Sequence, residues 1–119
     1  MQSASQAAAF YREVAESRVV WTIRDENGFP APINASGERA QPFWSSRARV
    51  ERIIATVAAY RDFTPVEIAL DVFLQRWAPS LANDGILVGV NWTGDRATGY
   101  DIVPARIAEC IASASRVGP

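Results

Sequence analysis

The sequence predicts an α+β fold in which one small mixed sheet has about four helices packed against it. Residues 86–92 (ILVGVNW) form a nearly uninterrupted apolar run rich in β-branched residues, bounded by Asp84-Gly85 and Thr93-Gly94-Asp95. Such a run is typical of a strand buried on both faces, which requires covering elements on both sides. Helix-like and strand-like apolar periods alternate along the rest of the chain, which favours the α+β class over an all-helical or all-strand fold. The side chains predicted to share one face of the strand are Ile86, Val88, Val90 and Trp92, with Leu87, Gly89 and Asn91 on the other.

The other elements follow from apolar spacing and from the turn residues between them. Ser3 and Gln6 have the spacing of a capping box at the start of the first helix. Asn27-Gly28 supplies the positive φ of a tight turn, and Pro104 suits the first position of the last helix. Pro79 is expected to end the third helix or to begin a further turn. In chain order the predicted helices cover about residues 3–17, 46–60, 70–79 and 104–113, and the extended segments cover 19–24, 29–33, 39–44, 62–68, 86–92 and 100–102.

Length and composition bound the possible functions. The 119 residues, 49% of them apolar, predict one globular domain over residues 1–119. A net charge of −1 gives no general attraction to nucleic acid or to an anionic membrane. No stretch reaches the roughly 18 apolar residues of a membrane span, and Met1–Ala9 has no apolar signal region. The predicted location is therefore the cytoplasm.

Several kinds of catalytic and metal site are excluded by composition. The chain has no histidine, which excludes Ser-His and Cys-His nucleophile pairs. With one cysteine, Cys110, a zinc site would need carboxylates almost alone. The glycine spacing matches no phosphate-binding loop. A pair of carboxylates among Asp84, Asp95 and Asp101 stays open as a hydrolytic site, although Asp84 and Asp95 adjoin glycines as turn formers do. No catalytic residue, cofactor or metal is predicted.

The first candidate binding cluster is residues 42–47 (PFWSSR), where a strand runs into the start of a helix. Free backbone amides there can hold an anion, and Arg47 or Arg49 would add charge. The simpler interpretation, which we favour, is that Ser45 or Ser46 caps the helix while the aromatic residues fill the core.

The second cluster is residues 91–96 (NWTGDR), which leave the end of the central strand. Ligands in sheet proteins tend to sit beyond strand ends, so a polar asparagine beside an aromatic ring is a candidate pocket edge. The simpler interpretation is again structural, with Asn91 bonded to a neighbouring loop and Trp92 packed in the core. The residues predicted to bind a ligand or partner are Trp44, Ser45, Ser46, Arg47, Asn91, Trp92, Thr93 and Asp95.

Five short motifs lie between about residues 5 and 112: AFY at 9–11, VW at 20–21, PFWSS at 42–46, FLQRW at 73–77 and GVNWTG at 89–94. Together and in this order they resemble a bacterial family of unknown function, the domain family numbered 2750. The resemblance implies a stand-alone bacterial cytoplasmic domain with no assigned activity. Residues 42–45 and 89–91 are also similar to the N-terminal domain of the secretion-associated enhancer protein SseB, although Trp92 replaces its usual proline. That similarity suggests a protein-interaction domain.

The function predicted from the sequence is that of a small protein-interaction or binding module. Its expected partner is another protein, with no role for nucleic acid or a membrane. The alternative is a small enzyme or a small-molecule receptor with a pocket near Trp44, Ser45, Asn91 and Asp95. The two interpretations differ in geometry, since the alternative requires the helix start at Ser45 and the strand end at Asn91 to converge on one concave site.

Overall fold

The computed structural model describes residues 2–117, which form four helical segments and five strands. This arrangement confirms the predicted α+β class. Short 3-10 turns at Ala58–Tyr60 and Pro104–Arg106 precede the third strand and the last helix. The elements are α1 (Gln2–Ser17), β1 (Val19–Arg24), β2 (Ala40–Phe43), α2 (Arg47–Thr56), β3 (Thr64–Ala69), α3 (residues 70–83), β4 (Leu87–Thr93), β5 (Thr98–Ile102) and α4 (Ile107–Val117).

The strands form two small sheets joined at one point, where the sequence predicted a single sheet. β1 pairs antiparallel with β3, while β4 lies between β2, which is parallel to it, and β5, which is antiparallel. Trp21 and Trp44 link the two sheets by exchanging backbone hydrogen bonds of 2.8 and 2.7 Å. The hydrogen-bonded ladder between β1 and β2 cannot continue through Pro42, because proline has no backbone N–H. The carbonyl of Pro42 accepts a hydrogen bond from the Thr22 hydroxyl at 2.8 Å.

β4 is the central strand, and both of its faces are buried as predicted. Val88 and Val90 belong to a core formed with α1, α3 and α4. Trp92 belongs to a second core, which includes Trp44 and residues of α2. No helix among residues 2–117 is both long enough and apolar enough to cross a lipid bilayer.

The prediction that Trp92 shares a face with Val88 and Val90 is wrong. Asn91 has a φ of 51°, and the pairing of β4 with β5 shifts register between Val90 and Thr93. This bulge moves the following side chain to the other face. The indole of Trp92 therefore lies over Gly89, where a Cβ atom would come within 2.4 Å of Trp92 Cε2.

Helix α3 continues through Pro79, contrary to the prediction. Its α-helical ends, Leu70–Val72 and Ala78–Asn83, flank a π-helical segment, Phe73–Trp77. A proline ring clashes with the carbonyl four residues earlier in a regular α-helix, and the wider π turn accommodates the ring. The helix ends instead at the predicted Asp84-Gly85 turn, with Gly85 at a φ of 69°.

Two other predicted boundaries are wrong. α1 begins at Gln2, so Ser3 lies inside the helix and is not its cap. α2 ends at Thr56, because Val57 is already extended, whereas the sequence predicted a helix to about residue 60. Residues 29–33, which the two prolines predict to be an edge or irregular strand, form no regular strand, and Ile33 makes an isolated bridge with Arg39.

Candidate functional site

The two predicted clusters meet at one end of the sheet. β2 and β4 are parallel neighbours, so the residues that follow them emerge side by side. The backbone N–H of Ser45 donates to Asn91 Oδ1 at 2.9 Å, and Trp44 Nε1 donates to the carbonyl of Trp92 at 3.0 Å. The helix start and the strand end therefore converge, which is the geometry that a shared site requires.

A cleft of about 690 Å³ lies beside this meeting point, bounded by α1, α2 and the turn between β4 and β5. We call it the junction cleft. Ser45, Asn91 and Arg47 do not line it. The predicted site residues that do line it are Trp44, Ser46, Trp92, Thr93 and Asp95, and it also contains Gln6, Glu13, Arg49 and Arg52.

Asn91 is a fully buried connection between three elements. Its Oδ1 accepts the Ser45 N–H, while its Nδ2 donates to Ser45 Oγ at 3.0 Å and to the carbonyl of Gln6 at 3.2 Å. Asparagine is also one of the few residues that tolerates the left-handed backbone found here. The amide thus joins β4 to α1 and to the segment between β2 and α2, and both its oxygen and its nitrogen are occupied by these contacts.

Ser45 and Glu13 form a close polar pair that is unsuited to nucleophilic catalysis. The Ser45 hydroxyl, in a residue only 3% exposed, donates to Glu13 Oε1 at 2.6 Å. Arg49 donates two hydrogen bonds to the same carboxylate, from Nε at 3.0 Å and from Nη2 at 2.9 Å. These hydrogen bonds lower the pKa of Glu13. A carboxylate with a lowered pKa is a weak general base, so the pair offers a substrate no activated hydroxyl.

Ser46, rather than Ser45, is the N-cap of α2. Its side chain accepts the backbone N–H of Arg49 at 3.2 Å. Arg47 does not line the junction cleft. Its Nε donates to Glu51 Oε2 at 2.8 Å, and its guanidinium lies 5.7 Å from the ring centre of Trp21. The structure therefore does not bring Arg47 together with the other predicted site residues.

The two tryptophans of the site are held in fixed positions. Trp44 and Trp92 are only 1% and 4% exposed. Trp92 Nε1 donates to Asp101 Oδ1 at 2.9 Å, and the other oxygen of that carboxylate accepts Asn34 Nδ2 at 3.0 Å. Asp101 thus fixes the indole, so the interpretation of Asp101 as one of two hydrolytic carboxylates loses its support.

The groups still available for binding in the junction cleft lie on its outer walls. Arg52 and Asp95 are exposed, and among residues 2–117 neither side chain has a hydrogen bond or ion pair. Sequence reasoning missed Arg52, although it stands one helical turn after Arg49. It also missed Glu13, because no local pattern connects that residue to an arginine 36 positions away. In the described part of the chain, no three metal-ligating side chains lie together.

Comparison with known proteins gives a family but no activity. The sequence profile of DUF2750, a protein of unknown function, matches residues 7–111. Anabaena Tic22, described as a protein-transport protein, is a similar solved structure, with a TM-score of 0.40 and 15% identity over 76% of this chain. The match spans 46% of the Tic22 chain, less than half its length. No curated protein sequence matches, and the weaker similarity to SseB stays unconfirmed. The chain belongs to the DUF2750 family.

Proposed function

We propose that the chain is a protein-interaction module whose junction cleft receives an exposed segment of another protein. The observation that carries the proposal is the distribution of charge in the cleft. Its inner charges, Glu13 and Arg49, are paired with each other, whereas Arg52 and Asp95 on the outer walls are unpaired among the described residues. A partner segment that carries both signs of charge complements these walls.

The same distribution favours a polypeptide over a small molecule. Small-molecule sites enclose most of the ligand and direct a few polar groups into a largely apolar cavity. Here Arg49 already donates to both Gln6 and Glu13, so the charged groups of the inner wall are occupied. Charges at the rim of an interface mainly govern partner choice and association rate. Arg52 and Asp95 have that position.

The alternative is a small-molecule receptor or a small enzyme at the same place. The cleft volume of about 690 Å³ lies within the usual range of ligand sites, roughly 300–1,000 Å³. Catalysis has less support, because Ser45 is buried and the lowered pKa of Glu13 makes it a weak base. The bacterial and cytoplasmic setting that the sequence predicts belongs to the same proposal.

Peptide selection tests the proposal without knowledge of the natural partner. Random peptides displayed on phage are selected for binding to the immobilised chain. The dissociation constant of each selected peptide for the chain is then measured. We expect Arg52→Glu and Asp95→Arg each to weaken binding by about tenfold or more, equivalent to roughly 1.4 kcal/mol. The matched controls are Arg61→Glu and Asp62→Arg, which reverse the same charges in an exposed turn outside the cleft.

The controls should bind the selected peptides as the wild type does. Equal affinity for the cleft variants and the control variants would overturn the assignment of the cleft. Failure to select any peptide, together with saturable binding of a small molecule that Arg52→Glu abolishes, would favour the receptor instead.

A further inference from the structure

A second concavity, separate from the junction cleft, lies between α3, β2 and the segment that follows β1. We call it the Gln41 pocket. It has a volume of about 340 Å³ and shares no lining residue with the junction cleft. Its walls include Phe29, Gln41, Trp77 and Leu81, with Arg76 and Asp84 beside them.

Gln41 is a buried polar side chain whose hydrogen-bonding capacity is largely unused. The residue is 6% exposed and stands in β2 between apolar neighbours. Its amide makes one contact, from Nε2 to Thr22 Oγ1 at 3.5 Å, which is longer than the range of about 2.7–3.2 Å of ordinary N–H···O hydrogen bonds. The hydroxyl of Thr22 is itself directed to the carbonyl of Pro42. Within residues 2–117, the amide oxygen of Gln41 accepts nothing.

The amide oxygen of Gln41 is not fully buried, and the residue lines the pocket. Every fully buried side-chain nitrogen or oxygen atom in the described part of the chain has a partner. An unpartnered oxygen in so buried a residue therefore retains contact with open space, and Gln41 is a lining residue of the pocket. An accessible amide oxygen without a protein partner can accept a hydrogen bond from a ligand in the pocket.

Aromatic rings form the apolar part of the pocket. Phe29 and Trp77 meet edge to face with their ring centres 5.0 Å apart, and Trp77 also contacts Phe43 at 6.1 Å. Contacts on two sides fix the indole of Trp77, while Phe29 is 39% exposed. Arg76 and Asp84 are exposed beside these rings, and neither side chain is paired among the residues described. Aromatic walls with a few polar side chains among them are characteristic of small-ligand sites.

We propose that the Gln41 pocket binds an adenine base, as a free nucleoside or nucleotide. A glutamine amide pairs with adenine through two hydrogen bonds, accepting from the N6 amino group and donating to a ring nitrogen. The purine ring stacks on Phe29, the exposed ring of the pair, because the Phe29 and Trp77 rings meet at 83° and share no plane. Asp84 and Arg76, which also line the pocket, supply an acceptor for ribose hydroxyls and a positive charge for a phosphate. The net charge of −1 and the scattered arginines disfavour a polynucleotide as the source of the base.

The test is an NMR titration of the full chain with adenosine and with AMP. Binding is followed at the indole N–H of Trp77 and the side-chain amide of Gln41. We expect saturable shifts at both groups. Gln41→Leu should weaken binding at least about tenfold while changing the melting temperature little, because the amide makes only one long contact within the protein. The matched control is Gln75→Leu, which removes an exposed glutamine of α3 outside the pocket and should bind as the wild type does.

A second probe isolates the hydrogen bonds to the base. N6,N6-dimethyladenosine has no N6 donor, and we expect it to bind at least about tenfold more weakly than adenosine. The proposal is overturned if neither adenosine nor AMP shifts the Trp77 indole at millimolar concentration. Equal binding by wild type and Gln41→Leu, or equal binding of the two nucleosides, also overturns it. None of these results depends on whether the junction cleft binds a peptide.

Discussion

Replacing Asn91 by alanine tests the connection on which the candidate site is built. The substitution leaves the buried backbone N–H of Ser45 without its acceptor at 2.9 Å. An orphaned buried N–H costs about 1–3 kcal/mol. The lost bonds to Ser45 Oγ and to the Gln6 carbonyl add about 1 kcal/mol each. Alanine at a φ of 51° adds about 1–2 kcal/mol of backbone strain.

The total expected loss in the free energy of unfolding is about 4–7 kcal/mol, a large part of the roughly 5–15 kcal/mol typical of a domain. Urea denaturation followed by tryptophan fluorescence measures it, if the denaturant slope stays unchanged. A loss below about 1 kcal/mol would refute the reasoning, because it would mean that Ser45 and Gln6 find other partners or solvent without penalty.

Asn91→Gly separates the strain from the hydrogen bonds. Glycine in a strand is ordinarily about 0.5–1 kcal/mol less favourable than alanine, but it adopts a positive φ without steric cost. Both variants lose the same three contacts. We therefore expect Asn91→Gly to be the more stable of the two by roughly 1 kcal/mol. An alanine variant as stable as the glycine variant would show that the left-handed backbone at this position carries no strain.

Three further results are expected. Ser46→Ala should lower the free energy of unfolding by about 1 kcal/mol through loss of the α2 cap, measured by urea denaturation, and an unchanged value would contradict the capping role. Gly89→Ala should cost about 1–3 kcal/mol because its Cβ meets Trp92 at 2.4 Å, and a double-mutant cycle with Trp92→Phe should recover part of that cost. The Arg49 hydrogen bonds lower the pKa of Glu13, so their stabilisation is present above the unfolded pKa of about 4.3 and is lost as pH falls through the lower folded value. Glu13→Gln should therefore flatten the acid side of the pH–stability curve, and an unaltered curve would exclude this contribution.

The sequence predicts the fold class and the positions of most elements, because the spacing of apolar residues within a short segment shows whether a helix or a strand would bury one face. The run at 86–92 has both faces covered, and the turns at Asn27-Gly28 and Asp84-Gly85 lie where the residues indicate. The errors arise where one residue changes the local geometry. The bulge at Asn91 reverses the face of Trp92, and the π turn before Pro79 allows a helix to pass a residue that ordinarily ends it.

The site is less predictable because its contacts join distant parts of the chain. Ser45 and Glu13 are 32 positions apart, and Asn91 and Gln6 are 85 positions apart. No local pattern predicts that β2 and β4 are parallel neighbours, which brings the two clusters together. The preference for a structural role was correct in detail for Ser46, which is the cap, and for Asn91, which bonds the neighbouring segment.

Both proposed binding sites rest on side chains whose hydrogen-bonding or charge capacity is unused, and not on the residue types that stand out in the sequence. The polar groups of Asn91 and Trp92, the most noticeable side chains in the sequence, are occupied by hydrogen bonds within the protein. The indole of Trp92 also packs closely over Gly89 and Gly99. Two of the groups with unused capacity, Arg52 and Gln41, are unremarkable in sequence, and only the third, Asp95, was singled out there. A side chain's chemistry is available to a partner only when the fold leaves it unpaired. The buried network around Asn91 joins β4 to α1 and to the segment before α2, and these elements carry the walls on which the unpaired groups lie.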